Sequence, residues 1–137
     1  MSRIIGVDYG TKRTGLAATD PLQIIASPLD TIPSHQVIPY LISYCQQEET
    51  AAFVVGMPKN LDNTDTHATK FVTLFVRKLK KAFPGLPVYL HDERFTSKMA
   101  LRAMIDGGTT KKYRRQKENL DRISATIILQ SFLDSKR

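Results

Sequence analysis

The chain contains one cysteine, Cys45, so an intramolecular disulfide is impossible and CxxC-type zinc sites are excluded. It falls in an apolar pattern, where a thiol is expected as a small buried hydrophobe rather than as a nucleophile. Long apolar runs are missing too: no stretch approaches the roughly 18 residues that a membrane-spanning helix needs. A strand pattern begins within three residues of Met1, with neither an h-region nor a cleavage signal. These absences lead us to expect a reduced, cytoplasmic compartment and no membrane partner. Acid is in deficit as well: 13 Asp and Glu face 20 Lys and Arg, a formal charge of +7. That excess favours polyanionic partners without naming one, and solubility alone would also account for it. Repeats, low-complexity tracts and linkers are absent, so the 137 residues are expected to form a single domain over 1–137, large enough to bury a core.

The elements follow from hydrophobic period. "RIIGVDY" reads as a strand with Ile4, Gly6 and Asp8 on one face and Ile5, Val7 and Tyr9 on the other. "GTKRTG" is a turn, after which "TGLAATD" and "QIIASPLDTI" make two more strands of an antiparallel meander. Helical spacing then appears in Ile38, Leu41, Ile42 and Cys45, with Pro39 in the first turn. "AAFVVGM" is continuous enough for a strand buried on both faces, and the loop "PKNLDNTD" follows it. Ala68, Phe71, Val72, Phe75, Leu79 and Ala82 stripe a second helix that stops at Pro84 and Gly85. "LPVYLHDE" is a fifth strand. Thr96 or Ser97 caps a helix "SKMALRAMID" that ends at Gly107, with Met99 and Met104 in the core. The basic stretch "TTKKYRRQKEN" leads into a last helix, "LDRISATIILQSFLDS". The expected fold is α/β: three antiparallel strands, two parallel strands added through helical crossovers, and helices on both sheet faces.

Acids interrupt this pattern at telling places. Asp8 ends the first strand and Asp92-Glu93 the fifth, while the "GMPKN" loop ends the fourth. Parallel central strands would bring all three ends to one edge, where open α/β sheets hold ligands. Asp121 lies in the first turn of the last helix, favoured there by the helix dipole and equally able to face that edge. Clustered carboxylates repel one another unless a cation joins them. Mg²⁺ accepts one or two protein carboxylates and completes its shell with water and phosphate oxygens, and paired ions about 4 Å apart support in-line phosphoryl displacement. Each acid alone has an ordinary explanation, as a strand-end, turn or helix-start residue. Spacing also leaves open whether Asp92 or Glu93 is the ligand, because neighbouring strand residues face opposite ways.

The strings "GVDYGTKRTGLAATD", "VVGMPKNLDNTD", "HDERFTS" and "LDRISATIILQSFL" together resemble the YqgF family, in order and over nearly the whole chain. Its members are described as Holliday junction resolvases or pre-16S rRNA nucleases. The resemblance implies an RNase H-like fold and a nuclease that uses Mg²⁺ or Mn²⁺, with the family's acids falling on Asp8, Glu93 and Asp121. It favours Glu93 over Asp92, and by analogy the products carry a 5′-phosphate and a 3′-hydroxyl. Pre-16S rRNA 5′-end processing is the first expectation and junction resolution the second, with the ribosomal subunit a further partner and the chain a monomer or weak homodimer. "RRQKEN" departs from the Lys-Gly pair that relatives often have before the last acid.

Basic residues complete the expectation. Lys12 and Arg13 follow the first strand directly and Arg94 follows Glu93; each is a candidate phosphate contact, with a solvated turn or a structural ion pair as its rival. Lys111, Lys112, Arg114, Arg115 and Lys117 surround Tyr113, a combination suited to clamping nucleic acid, although charge runs are commonly solvated loops. Two other functions compete. "GVDYGTKRTG" also resembles the first phosphate loop of actin-like ATPases, but those need a second lobe for which 137 residues leave no room. A non-catalytic nucleic-acid or ribosome-binding module would keep the fold without needing three acids.

Overall fold

The structure, a computed structural model, describes residues 2–59, 62, 64–92 and 117–136, with side chains of the last stretch from Arg122 onward. Five strands form one mixed sheet in the order β3-β2-β1-β4-β5. β1 (Arg3–Tyr9), β2 (Arg13–Thr19) and β3 (Ala26–Pro33) are the antiparallel meander. β4 (Thr50–Met57) lies parallel to β1, and β5 (Val88–Asp92) parallel to β4. A 3₁₀ turn over Ser34–Gln36 leads into α1 (Val37–Gln47), α2 is His67–Ala82, and the C-terminal helix α3 is Lys117–Ser135.

The alternation along β1 sorts the core into two layers. Ile5 and Val7 pack with Phe53 and Val55 of β4 beneath Val37 and Leu41 of α1 and Val72, Phe75, Val76 and Leu79 of α2. Ile4, Ala17, Ala52 and Val54 face the other way, against Ala125, Ile128, Leu129, Phe132 and Leu133 of α3. Helices thus cover both faces, as expected, and Ala52 to Gly56 of β4 are buried throughout. α3 can settle close to the sheet because its floor is small: a Cβ on Gly6 would stand 2.8 Å from Leu129 Cβ and 3.1 Å from the Ala125 carbonyl oxygen.

Several details differ from the expectation. β3 begins at Ala26 rather than Gln23, because the Asp20 carboxylate accepts from the amides of Leu22 (3.1 Å), Ile24 (2.8 Å) and Ile25 (2.8 Å). Those bonds curl the chain, place Gln23 at φ 59°, and leave Ile24 and Ile25 exposed. On α2 the inward stripe is rotated: Val76 is buried, whereas Phe71 is 45% exposed. Thr69 fixes that rotation by donating through its hydroxyl to the Pro58 carbonyl (2.7 Å) while Thr66 caps the helix. On α1, Val37 joins Leu41 in the core and Ile42 turns outward. Cys45 is half-buried, its thiol donating to Thr50 Oγ1 at 3.3 Å. The expected helix "SKMALRAMID", with Met99, Met104 and Gly107, lies outside the described residues. α3 starts at Lys117, three residues before the expected Leu120.

Two outcomes follow from these contacts. Gly6→Ala forces α3 off the sheet and should cost about 1–3 kcal/mol in urea unfolding; unchanged midpoints would show that the helix does not rest on the strand. The amides of Ile25, Ile24 and Leu22 hold the Asp20 carboxyl below its ordinary pKa, against a smaller opposing effect of burial. A depressed carboxyl stabilises the fold above its unfolded pKa and loses that contribution as pH falls through its folded one. Asp20→Ala should therefore lower Tm at neutral pH, with the gap to the wild type closing as melts are taken down through the carboxylate range.

Candidate functional site

Because β1, β4 and β5 run parallel, their C-terminal ends share one sheet edge. Asp8 stands there, half-buried, one residue before the end of β1. Ile4 and Gly6 face α3, so Asp8, two residues further on, belongs to the same face. Its neighbours across the sheet are both glycines. Asp8 pairs with Gly15 of β2, and one step beyond the Val7–Val55 pair of the parallel ladder it comes alongside Gly56 of β4.

α3 points its N-terminus toward this edge. Gln130 Oε1 accepts from the amide of Ala26 (3.0 Å) at the far end of the sheet, where Ala26 pairs with Thr19, whereas Ala125 lies against Gly6 near mid-sheet. Asp121 precedes Ala125 by one helical turn and lies within α3; its side chain is outside the described residues. On β5, His91 stands level with Gly56 and meets α3, its Nε2 2.9 Å from Ser131 Oγ and its ring edge-on to Phe132. Burial lowers the His91 pKa, opposed by the nearby Asp92 carboxylate. Tyr89, on the same β5 face, meets Phe132 at a centroid distance of 5.2 Å. Asp92 is exposed and belongs to the other series of β5, off the face of Asp8.

Two connections flank Asp8. The β1–β2 turn carries Lys12, exposed, and β2 opens on Arg13, half-buried with its Nε inside the protein. Beyond β4, Lys59 pairs with Asp65 across an isolated bridge, and Asp62 Oδ1 accepts from Thr64 N at 3.1 Å. Tyr9, the last residue of β1, stacks on Phe75 of α2 with ring centroids 4.4 Å apart, which ties the strand end to the opposite layer. Sequence reasoning named the "GMPKN" loop but overlooked Lys59 within it and the hydroxyls of Thr14 and Ser34 behind the turn. A Thr-x-x-Thr signature at Thr66 and Thr69 was available for the loop, whereas the hydroxyl pair had no sequence signal.

Of the expected site residues, Asp8, Lys12 and Arg13 are brought to this edge. Glu93, Arg94, Lys111, Lys112, Tyr113, Arg114 and Arg115 lie outside the described residues, as do the side chains of Lys117 and Asp121. Among the described residues no three His, Cys, Asp or Glu side chains converge as a metal cluster, and no helix is long and apolar enough to cross a membrane.

The chain is similar to a RuvC of T. thermophilus solved in complex with a Holliday junction, with a TM-score of 0.61 at 14% identity over 99% of this chain and 96% of that one. A second T. thermophilus RuvC structure gives 0.57 at 15%, covering 98% and 95%. These likenesses establish the RNase H-like fold. A relative from Parabacteroides distasonis is 50% identical over the full chain and 98% of its own length, and one from Phocaeicola vulgatus 49% over the full chain and 99% of its own. Both carry the name "Putative pre-16S rRNA nuclease". Residues 2–135 match the family model RuvX, described as Holliday junction resolvase; the chain belongs to that family, the one its motifs resemble under the name YqgF.

Proposed function

We propose that the chain is a divalent-metal-dependent nuclease acting on structured nucleic acid, with 5′-end processing of pre-16S rRNA as its task and Asp8, Glu93 and Asp121 as its catalytic, metal-binding acids. One observation carries the reading: Asp8 stands one residue before the end of the central strand, on the α3 face and opposite Gly15, which gives a carboxylate a place at the ligand edge of an α/β sheet. The alternation of β5 supports Glu93 over Asp92. Tyr89 and His91 share the face of Asp8, whereas Asp92 belongs to the other series of the strand. The direction of α3 supports Asp121, one turn beyond the Ala125 that lies on Gly6.

Three carboxylates are a hard-oxygen donor set, which fits Mg²⁺ or Mn²⁺ and not a thiophilic ion. Such ions, when bound, supply positive charge at the attacking and leaving oxygens of the phosphodiester. Asp8, Glu93 and Asp121 would hold those ions through their carboxylate oxygens. Lys12, Arg13 and Arg94, and the basic run Lys111 to Lys117 around Tyr113, then take the neighbouring phosphates and an unpaired base. The net charge of +7 supports a polyanionic substrate in the cytoplasm, free or on a ribosomal subunit.

Junction resolution is the second reading, favoured by the likeness to a RuvC caught on a Holliday junction. It requires two copies working symmetrically, so sedimentation of the protein on a four-way junction separates the two. Cleavage of a precursor rRNA end and of a junction, side by side with Mg²⁺, Mn²⁺ and EDTA, tests the function itself. In that assay Asp8→Asn should abolish cleavage with an unchanged circular dichroism spectrum, and Asp92→Asn should retain it. Wild-type turnover in Asp8→Asn would refute the assignment. Replacing Lys111, Lys112, Arg114 and Arg115 by Gln should flatten log affinity against log salt by about 0.7–0.9 per lost phosphate contact; an unchanged slope would remove that segment from the interface.

A further inference from the structure

Ser34 stands outside the acids and the basic residues, yet it governs the turn beside them. It opens the 3₁₀ turn ahead of α1 and is 8% exposed. Its hydroxyl donates to the Gly10 carbonyl. With its one proton committed there, the same oxygen accepts from Thr14 Oγ1 at 2.8 Å, and Thr14 is fully buried. Its backbone N–H donates to the Lys12 carbonyl at 2.9 Å. One residue more than twenty positions downstream therefore ties two carbonyls of the Gly10–Arg13 turn through a buried chain of hydrogen bonds whose members polarise one another. The turn is also closed on itself, since a Cβ on Gly10 would come within 2.5 Å of the Arg13 carbonyl oxygen. Strand-end turns commonly fray; this one is held on its inner side while Thr11 and Lys12 remain exposed.

We infer that Ser34, with Thr14 behind it, is a positioning residue for substrate: it fixes the turn so that Lys12 meets a backbone phosphate next to Asp8 without first being ordered. This rests on the nuclease reading above. A preformed cation saves the entropy of immobilising a loop on binding, so the hydroxyl acts on substrate affinity and not on the chemical step.

The test uses the full chain with a labelled precursor rRNA fragment, read by cleavage in Mg²⁺ and by fluorescence anisotropy in EDTA. Ser34→Ala should raise KM and the anisotropy Kd about tenfold, leave kcat within about twofold, and flatten the salt slope by about one phosphate contact. Ser34→Thr, which keeps the hydroxyl, should restore both. Combining Ser34→Ala with Lys12→Gln should weaken binding no further than Lys12→Gln alone. Should Ser34→Ala fail to fold, Thr14→Val, which breaks the chain one link further back, takes its place with the same expectation in a smaller degree. Unchanged KM and slope in a folded variant, or additive losses in the double variant, would overturn the inference. A wild type that binds the fragment but cleaves no substrate would instead sink the nuclease reading, with the effect of Ser34 on affinity still measured.

Discussion

The contact on which the rest depends is the seat of α3 on Gly6. Ala125 and Leu129 close over a position where even a methyl group would clash, and Ala17 and Ala52 keep the surrounding floor low. Close approach lets Ile128, Leu129, Phe132 and Leu133 bury against small strand residues, and interdigitation of that kind resists both cavities and added volume. It also sets the helix direction. A helix anchored by Gln130 at one end of the sheet and by Ala125 near its middle has its N-terminus at the other end. That is the edge where β1 delivers Asp8, so one packing contact decides whether a helix-start acid and a strand-end acid can serve one site.

Electrostatics impose the second constraint. Carboxylates brought together repel one another unless a cation joins them, and the partner of Asp8 across β2 is Gly15, which adds no side chain of its own. Positive charge near this edge stands on Lys12 in the β1–β2 turn, on Arg13 at the start of β2 and on Lys59 beyond β4. Lys59 is held by Asp65, whereas the turn that bears Lys12 is held through its backbone by Ser34. His91 sits between the sheet and α3, its Nε2 2.9 Å from Ser131 Oγ. In the proposed function this arrangement would separate the attraction of a polyanion from the acids that the chemistry would use.

The antiparallel meander, the two parallel additions and the helices on both faces were legible in the sequence, because period and connection length report directly on strands and crossovers. So was the face of Asp8, which follows from alternation with Ile4 and Gly6. Local hydrogen bonding was harder to read. The Asp20 carboxylate overrode the strand propensity of Ile24 and Ile25 by offering their amides a nearer acceptor, and Thr69 rotated α2 so that Val76 replaced Phe71 in the core.

By itself the sequence determined which residue types were available and their faces: acids at strand ends and a positive excess carried largely by the connections. Tertiary structure alone decided register and approach. The pairing of Asp8 with Gly15 and its place alongside Gly56, the exclusion of Asp92 from that face, and the Ser34 hydroxyl beneath a turn some twenty residues earlier all depend on which residues stand level across strands. Period cannot supply that information, because a shift of one residue in pairing leaves the pattern of each strand unchanged while moving its side chains past different neighbours.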